Sequence, residues 1–341
     1  MFDDDHLVSC AGLVPVMTLA QQTGLARLLA DKVQITAPRI KSGAANPAPK
    51  LATLVAGMVV GADCIDDIDV IRSGGMKTLF DGVYAPSTVG TLLREFTFGH
   101  ARQLESVLRE HLVALCARVD LLADADEQVF IDIDSLLRPV YGHAKQGASY
   151  GHTKIAGKQI LRKGLSPLAT TPVITGMRLR AGKTNSAKGA GRMIAQAIST
   201  ARDLGANRNI LVRGDSAYGN RTVVRTCLRA GAQFSLVMTR DPAIDRAIAT
   251  IDDHAWTPVS YPGAVRDPDA EVAEIPYTAF ASTKDQITAR LVVRRVKDAC
   301  YPDALFPVWR YHPFFTNTDT PVEKPTSSTV NTPSSKRCSP I

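Results

Sequence analysis

Val129-Phe130-Ile131-Asp132-Ile133-Asp134-Ser135 and Ile210-Leu211-Val212-Arg213-Gly214-Asp215-Ser216 are two short apolar runs that each end in aspartate. Runs rich in β-branched residues and bounded by polar breaks read as buried strands. A carboxylate in such a strand is costly unless something pairs with it. A divalent cation is the usual compensation, so the two runs point to a sheet with chemistry at its strand ends. Alternate side chains of a strand face the same way, which groups Asp132 with Asp134. Asp215 closes its run just before a helical pattern, where strand ends of open sheets collect ligands.

If the two strands are neighbours, Asp134 and Asp215 converge. Like charges brought close repel, and each favours protonation unless a cation lies between them. Mg²⁺ is satisfied by a few carboxylates plus water and phosphate oxygens. Two such ions about 4 Å apart activate an attacking oxygen and stabilise a leaving one. Asp132 is a same-face alternative to Asp134, and a bond from either to backbone or to an arginine is the competing structural reading. His143 and His152 flank a glycine-rich turn but have no partner at metal-ligand spacing, so they stay outside the site.

Working outward, strands are predicted over 128–138, 153–162 and 171–179. A helix follows over about 186–204, with Met193, Ile194, Ala197, Ile198, Ala201 and Leu204 on one face and Gly205 as terminator. Then come a strand at 209–214, a helix over about 220–230 and a strand through Phe234–Met238. This order predicts an α/β fold with a ribonuclease-H-like mixed sheet whose first three strands form a meander.

Residues 1–122 read as a helical N-terminal domain, a candidate for DNA-end binding. Val89, Leu92, Leu93 and Phe96 are helically spaced, with Ser87 as the expected N-cap. Asp63, Asp66, Asp67 and Asp69 lack the spacing of a calcium loop and read as a solvated helix start. Residues 123–240 form the expected catalytic core. A β-rich insertion follows over 241–316, with strands at Ala289–Arg295 and Phe306–Phe315. Over 317–341 the composition changes: eleven of the last eighteen residues are Ser, Thr or Pro. Such a stretch buries too little apolar surface to offset its ordering entropy and is expected to be disordered.

The net charge of +7 is concentrated in one place. Between Asp134 and Asp203 there are twelve Lys or Arg and no acidic residue, whereas the rest of the chain holds 28 basic and 33 acidic residues. Surfaces that face only water mix both signs, so this segment implies a polyanionic partner. Arg138, Lys145, Lys154, Lys158, Arg178, Arg180, Lys183 and Arg213 are its candidate phosphate contacts. The six cysteines are scattered, which excludes a CxxC motif and predicts reduced, mostly buried thiols. No apolar stretch is long enough to span a bilayer and the first residues are acidic, so a cytoplasmic protein is expected.

Taken together these residues resemble a DDE-type transposase of the insertion-sequence-1380 family. The likeness runs through Ala11–Pro15, Gly57–Asp63, Ala85–Thr88, Phe98–His100, Ile131–Ser135 and Arg213–Ser216, and covers roughly residues 8–320. It implies a ribonuclease-H-like fold and binding to the inverted terminal repeats of an element in double-stranded DNA. Oligomerisation on that DNA is implied as well. It also implies strand cleavage and transfer by two aspartates and one glutamate holding two Mg²⁺ ions. Asp134 matches the first aspartate and Asp215 the second, with Asp132 as alternative metal ligand. The family's glutamate helix has no counterpart: the likeness stops near Asp319, and Glu323 sits in a Pro-Thr context. A shifted reading of plausible codons from Lys324 onward yields a segment containing HAIIE, so a frame-shifted, truncated and inactive copy is expected. Another metal-dependent nuclease of this fold and a non-catalytic DNA-binding remnant are the competing functions.

Overall fold

The computed structural model describes residues 4–36, 43–119, 121, 128–140, 147–149, 160–168, 173–206, 208–259, 270–298, 300–301 and 305–319; for Arg138 and residues 160–168 this covers the backbone alone. The chain divides into two compact units, Met1–Leu121 and Leu122–Ile341.

The first unit is helical: α1 (Leu13–Gln22), α2 (Leu25–Lys32), α3 (Pro47–Val59), α4 (Met76–Leu79), α5 (Pro86–Arg94) and α6 (Phe98–Cys116). It has two small cores, one holding Leu13, Ile68, Met76 and Val89, the other Leu29, Leu51, Leu92 and Val107. Val89 and Leu92, three residues apart on α5, are fully buried and anchor one core each. The cap of α5 differs from expectation. Ala85 is the N-cap and Pro86 the first helical residue, which leaves Ser87 inside the helix. Proline suits that position because its fixed φ is helical and its missing N–H has no partner there anyway. Of the acidic cluster, Asp66, Asp67 and Asp69 lie on a 3₁₀ turn, Asp66–Ile71. The Asp67 carboxylate accepts the backbone N–H groups of Cys64 (2.8 Å) and Asp63 (2.9 Å), and these bonds, Cys64 foremost, hold its pKa below the usual range.

Among its described residues the second unit has nine strands: β1 (Gln128–Pro139), β2 (Ile160–Leu168), β3 (Val173–Ala181), β4 (Asn209–Gly214), β5 (Gln233–Val237), β6 (Thr257–Pro258), β7 (Ala270–Ala279), β8 (Ile287–Lys297) and β9 (Trp309–Thr316). They form one mixed sheet of order β3-β2-β1-β4-β5-β9-β8-β7-β6. β1, β4 and β5 run parallel, and every other neighbouring pair is antiparallel. Helices α7 (Ala190–Asp203), α8 (Arg221–Arg229) and α9 (Pro242–Ile248) complete the unit.

One core joins the sheet to its helices. Val129, Ile131 and Ile133 of β1 meet Ile194, Ala197 and Ile198 of α7, together with Ile210 and Val212 of β4 and Val223 and Cys227 of α8. The apolar face anticipated on α7 is therefore its buried face. Asn220 caps α8 by accepting the Val223 N–H at 3.2 Å.

β2 begins at Ile160, near the end of the range expected for it, while residues 150–159 lie outside the described set. The sheet accommodates Pro167 at a register shift between Ser166 and Pro167, where the ladder is already interrupted.

The strands of the expected β-rich insertion continue the same sheet, because β9 pairs with β5 through Leu236↔Phe315. Phe315 packs there against Phe234, Tyr277 and Phe280. Pairing persists past β9, since the Asn317 side-chain oxygen accepts the Phe234 N–H at 2.8 Å. The remainder of the expected tail, from residue 320, lies outside the described residues. Cys10, Cys64, Cys116 and Cys227 are free thiols, of which Cys227 alone is buried. Cys300 is disulfide-bonded, against the expectation of reduced thiols throughout. No helix among the described residues is long and apolar enough to cross a membrane.

Candidate metal and nucleic-acid site

Because Val129, Ile131 and Ile133 enter the core, the alternating residues Phe130, Asp132 and Asp134 occupy the opposite face of β1. The parallel register pairs Asp132 with Arg213 and Ile133 with Gly214. Asp134, midway along β1, and Asp215, just past the end of β4, are the next residues along the two strands, so they are neighbours where the parallel pairing of β1 with β4 ends. Burial, opposed by the Ala217 N–H and reinforced by the Asp134 charge, lifts the Asp215 pKa above the usual carboxylate range.

The three aspartates have different partners. Asp132 is held by Arg213 in a two-point ion pair, Nε to Oδ1 at 2.6 Å and Nη2 to Oδ2 at 2.7 Å. The same guanidinium lies 4.9 Å from the centre of the Phe130 ring. Asp134 is exposed and accepts the N–H of its neighbour Ser135 at 2.6 Å. Asp215 accepts the Ala217 N–H at 2.9 Å, which closes a tight turn between β4 and α8. The Asp215 carbonyl accepts the Tyr218 N–H at 2.9 Å.

Tyr218 is fully buried, and its hydroxyl is 2.8 Å from Ser135 Oγ. This hydrogen bond joins the residue after Asp134 to the turn that carries Asp215. Gly214 makes the close approach possible: a Cβ there would lie 3.0 Å from Ile133 Cγ2 and 3.1 Å from Tyr218 Cβ. Sequence reasoning passed over Tyr218 and Ser135. The signal for both was adjacency to the aspartates, and the link itself spans 83 residues.

The expected phosphate contacts divide into groups. Lys145, Lys154 and Lys158 lie outside the described residues, as do His143, His152 and Glu323; of Arg138 only the backbone is described. Lys183 is exposed on the turn after β3. Arg178 Nη1 approaches the Gly189 carbonyl at 3.5 Å. Arg180 Nη1 donates to the carbonyls of Ser186 and Lys188, both at 2.7 Å, so it shapes the loop that leads into α7. The Arg213 side chain is 17% exposed and committed to Asp132.

Two adjacent carboxylates, one exposed and one partly buried, suit a hard cation that completes its shell with water and phosphate oxygens. Among the described residues no group of three His, Cys, Asp or Glu is placed to hold a metal ion. The fit is therefore to a cation held by Asp134 and Asp215 together with groups from elsewhere.

No curated protein matches the chain. Among solved structures it is similar to a piggyBac transposase, determined by cryo-EM as a synaptic complex with hairpin DNA, at 10% sequence identity and a TM-score of 0.39. That alignment covers 96% of this chain and 64% of the other, so the chain spans under two thirds of its length. The model of the family described as transposase DDE domain group 1 matches residues 1–303. Over nearly its whole length, then, the chain belongs to the DDE transposase domain family, group 1.

Proposed function

We propose that the protein is a DNA transposase of the insertion-sequence-1380 type, in which Asp134 and Asp215 hold Mg²⁺ where the parallel pairing of two strands ends. The observation that carries this reading is the neighbouring placement of these carboxylates immediately past the last paired residues of β1 and β4, Ile133 and Gly214. The order β3-β2-β1-β4-β5, three antiparallel strands followed by parallel ones, supports a ribonuclease-H-like core. In this reading residues 1–122 serve DNA ends, 123–240 are catalytic and 241–316 are the β-rich segment.

A bound divalent ion supplies charge stabilisation to the scissile phosphate and lowers the pKa of the attacking oxygen's proton. The chain's own residues do the rest. Asp134, which is exposed, and Asp215, which is anchored through the Ala217 N–H, would be the two carboxylates that hold the ion. Lys183, with Lys145, Lys154 and Lys158 of the same basic segment, tracks the duplex backbone, where Arg and Lys contacts set register rather than sequence. Electrostatics assign this role to the second unit. Residues 1–121 carry eleven Lys or Arg against thirteen Asp or Glu, whereas 122–341 carry 29 against 20.

A gel-shift titration of element ends against salt, followed by incubation with Mg²⁺, tests the whole reading. The expected result is retarded DNA whose log affinity falls with log salt at roughly 0.9 per phosphate contact. Joined product in Mg²⁺ would uphold the transposase, and retarded DNA without cleavage or joining would favour the non-catalytic DNA-binding reading. Cleavage of unrelated DNA without joining would instead identify a nuclease, and no retardation at low salt would remove the DNA-binding reading.

A further inference from the structure

We propose that Arg213 is a positioning residue for the carboxylate pair: by clamping Asp132 it withdraws that aspartate from the metal and fixes β1 against β4 one step before Asp134 and Asp215. The inference rests on the metal reading above and adds a division of labour among the three aspartates. Asp132 and Arg213 are directly paired positions of neighbouring strands. Both Asp132 oxygens receive guanidinium N–H groups, at 2.6 and 2.7 Å, a fork geometry that an ammonium does not reproduce. The Phe130 ring beneath the guanidinium restricts it further.

Charge explains why a clamp is needed. Asp132 and Asp134 lie on one face of β1, and Asp215 stands next to Asp134. Three uncompensated carboxylates on one patch would repel, and Asp132 would compete for the cation. Arg213 neutralises Asp132, the member that precedes the pair along β1, and leaves Asp134 exposed. A second cross-strand link completes the arrangement from the opposite face, because Ser135 and Tyr218 are hydrogen-bonded just after the pair. Asp134 and Asp215 are thus held between two ties, one preceding them and one following them. Among the described residues, the hydrogen bonds of their own carboxylates are local, to Ser135 and Ala217.

Mn²⁺ affinity of the full chain, measured by electron paramagnetic resonance or calorimetry, tests this without requiring turnover. The variants are Asp132→Asn, Arg213→Met, their combination, and Arg213→Lys, with Asp134→Asn as reference. Positioning predicts that Asp132→Asn and Arg213→Met each weaken Mn²⁺ binding on the order of tenfold, and that the double variant is no worse than either single one. Arg213→Lys keeps the charge but loses the fork, so it too weakens binding, and it serves where Arg213→Met does not fold. A purely structural pair would lower the unfolding midpoint and leave the Mn²⁺ affinity of the folded fraction unchanged, which overturns the proposal. If Asp132 is itself a metal ligand, Arg213→Met tightens Mn²⁺ binding while Asp132→Asn weakens it, and that opposite sign also overturns it. If Asp134→Asn binds Mn²⁺ as well as the wild type, the metal reading fails, and the Arg213 proposal falls with it.

Discussion

The carbonyl oxygen of Val237 crowds Gly219 so closely that a Cβ on Gly219 would lie 2.2 Å from it. No rotamer change relieves a contact with backbone, so either β5 or the turn leading to α8 must shift. Gly219→Ala is expected to destabilise the second unit by about 1–3 kcal/mol, read as a lower denaturant midpoint. Gly12→Ala, where nothing lies within 4 Å, is the control and should stay within about 0.5 kcal/mol of wild type. Equal midpoints for the two variants would show that the turn yields freely.

Arg295 lies between two indoles, 4.1 Å from the ring centre of Trp256 and 4.4 Å from that of Trp309, and its Nε meets Glu271 at 2.6 Å. These are the only tryptophans in the chain, so their emission reports on this one site. Arg295→Ala should cost about 2–4 kcal/mol, from lost stacking and an unpaired Glu271, and should shift tryptophan emission to the red. Arg295→Lys should cost less, about 1 kcal/mol, because it keeps charge but loses the plane. An unchanged spectrum for Arg295→Ala would contradict the sandwich.

Thr23 and His111 join the end of α1 to α6, with Thr23 Oγ1 and His111 Nε2 2.8 Å apart. Burial holds the His111 pKa below its ordinary value. The unfolded chain therefore binds this proton more readily than the folded one. Its contribution is complete above the ordinary histidine pKa of about 6.5 and is lost as pH falls through the lower folded value. The melting temperature of wild type should drop more steeply over that window than that of His111→Gln. Parallel curves for the two proteins would refute this.

Cys227 is enclosed between α8 and the sheet, and burial pushes its thiol pKa up to about 12. Cys64 is exposed. Iodoacetamide at neutral pH should label Cys64 within minutes and leave Cys227 intact until denaturant is added, as mass spectrometry of the peptides would reveal. Early labelling at Cys227 would mean that α8 opens locally well below the global unfolding free energy.

Elements whose own residues carry the signal were legible in the sequence. The runs of β1 and β4, the apolar stripe of α7 with Gly205 behind it, and α8 before Gly231 were all read close to their observed limits. β7 was missed: Ala270, Glu271, Ala273 and Pro276 are poor strand formers, and it is pairing with β8 along its whole length, and with β6 at Glu271 and Val272, that makes it a strand. The short α9 went unread as well, although Asp241 and Pro242 mark its start. At the site, the aspartates were visible as an anomaly in apolar runs. Which of them is tied up was not, because Asp132 meets Arg213 across 81 residues through a strand register that no local pattern encodes. Arg180 illustrates the same limit. A basic residue in a basic segment reads as a phosphate contact, yet its guanidinium is organising carbonyls of the following loop.

The seam between β5 and β9 has a consequence for how the protein is made. β5 leaves the ribosome ending at Val237, but its partner begins only at Trp309. During that interval the nascent chain holds the parallel half of its sheet with one raw edge, the kind of surface that captures other strands. Chaperone engagement, or a pause in translation near Thr316, would bear directly on yield. A ribosome-bound chain arrested before residue 309 should be far more prone to protease and to aggregation than one arrested after it.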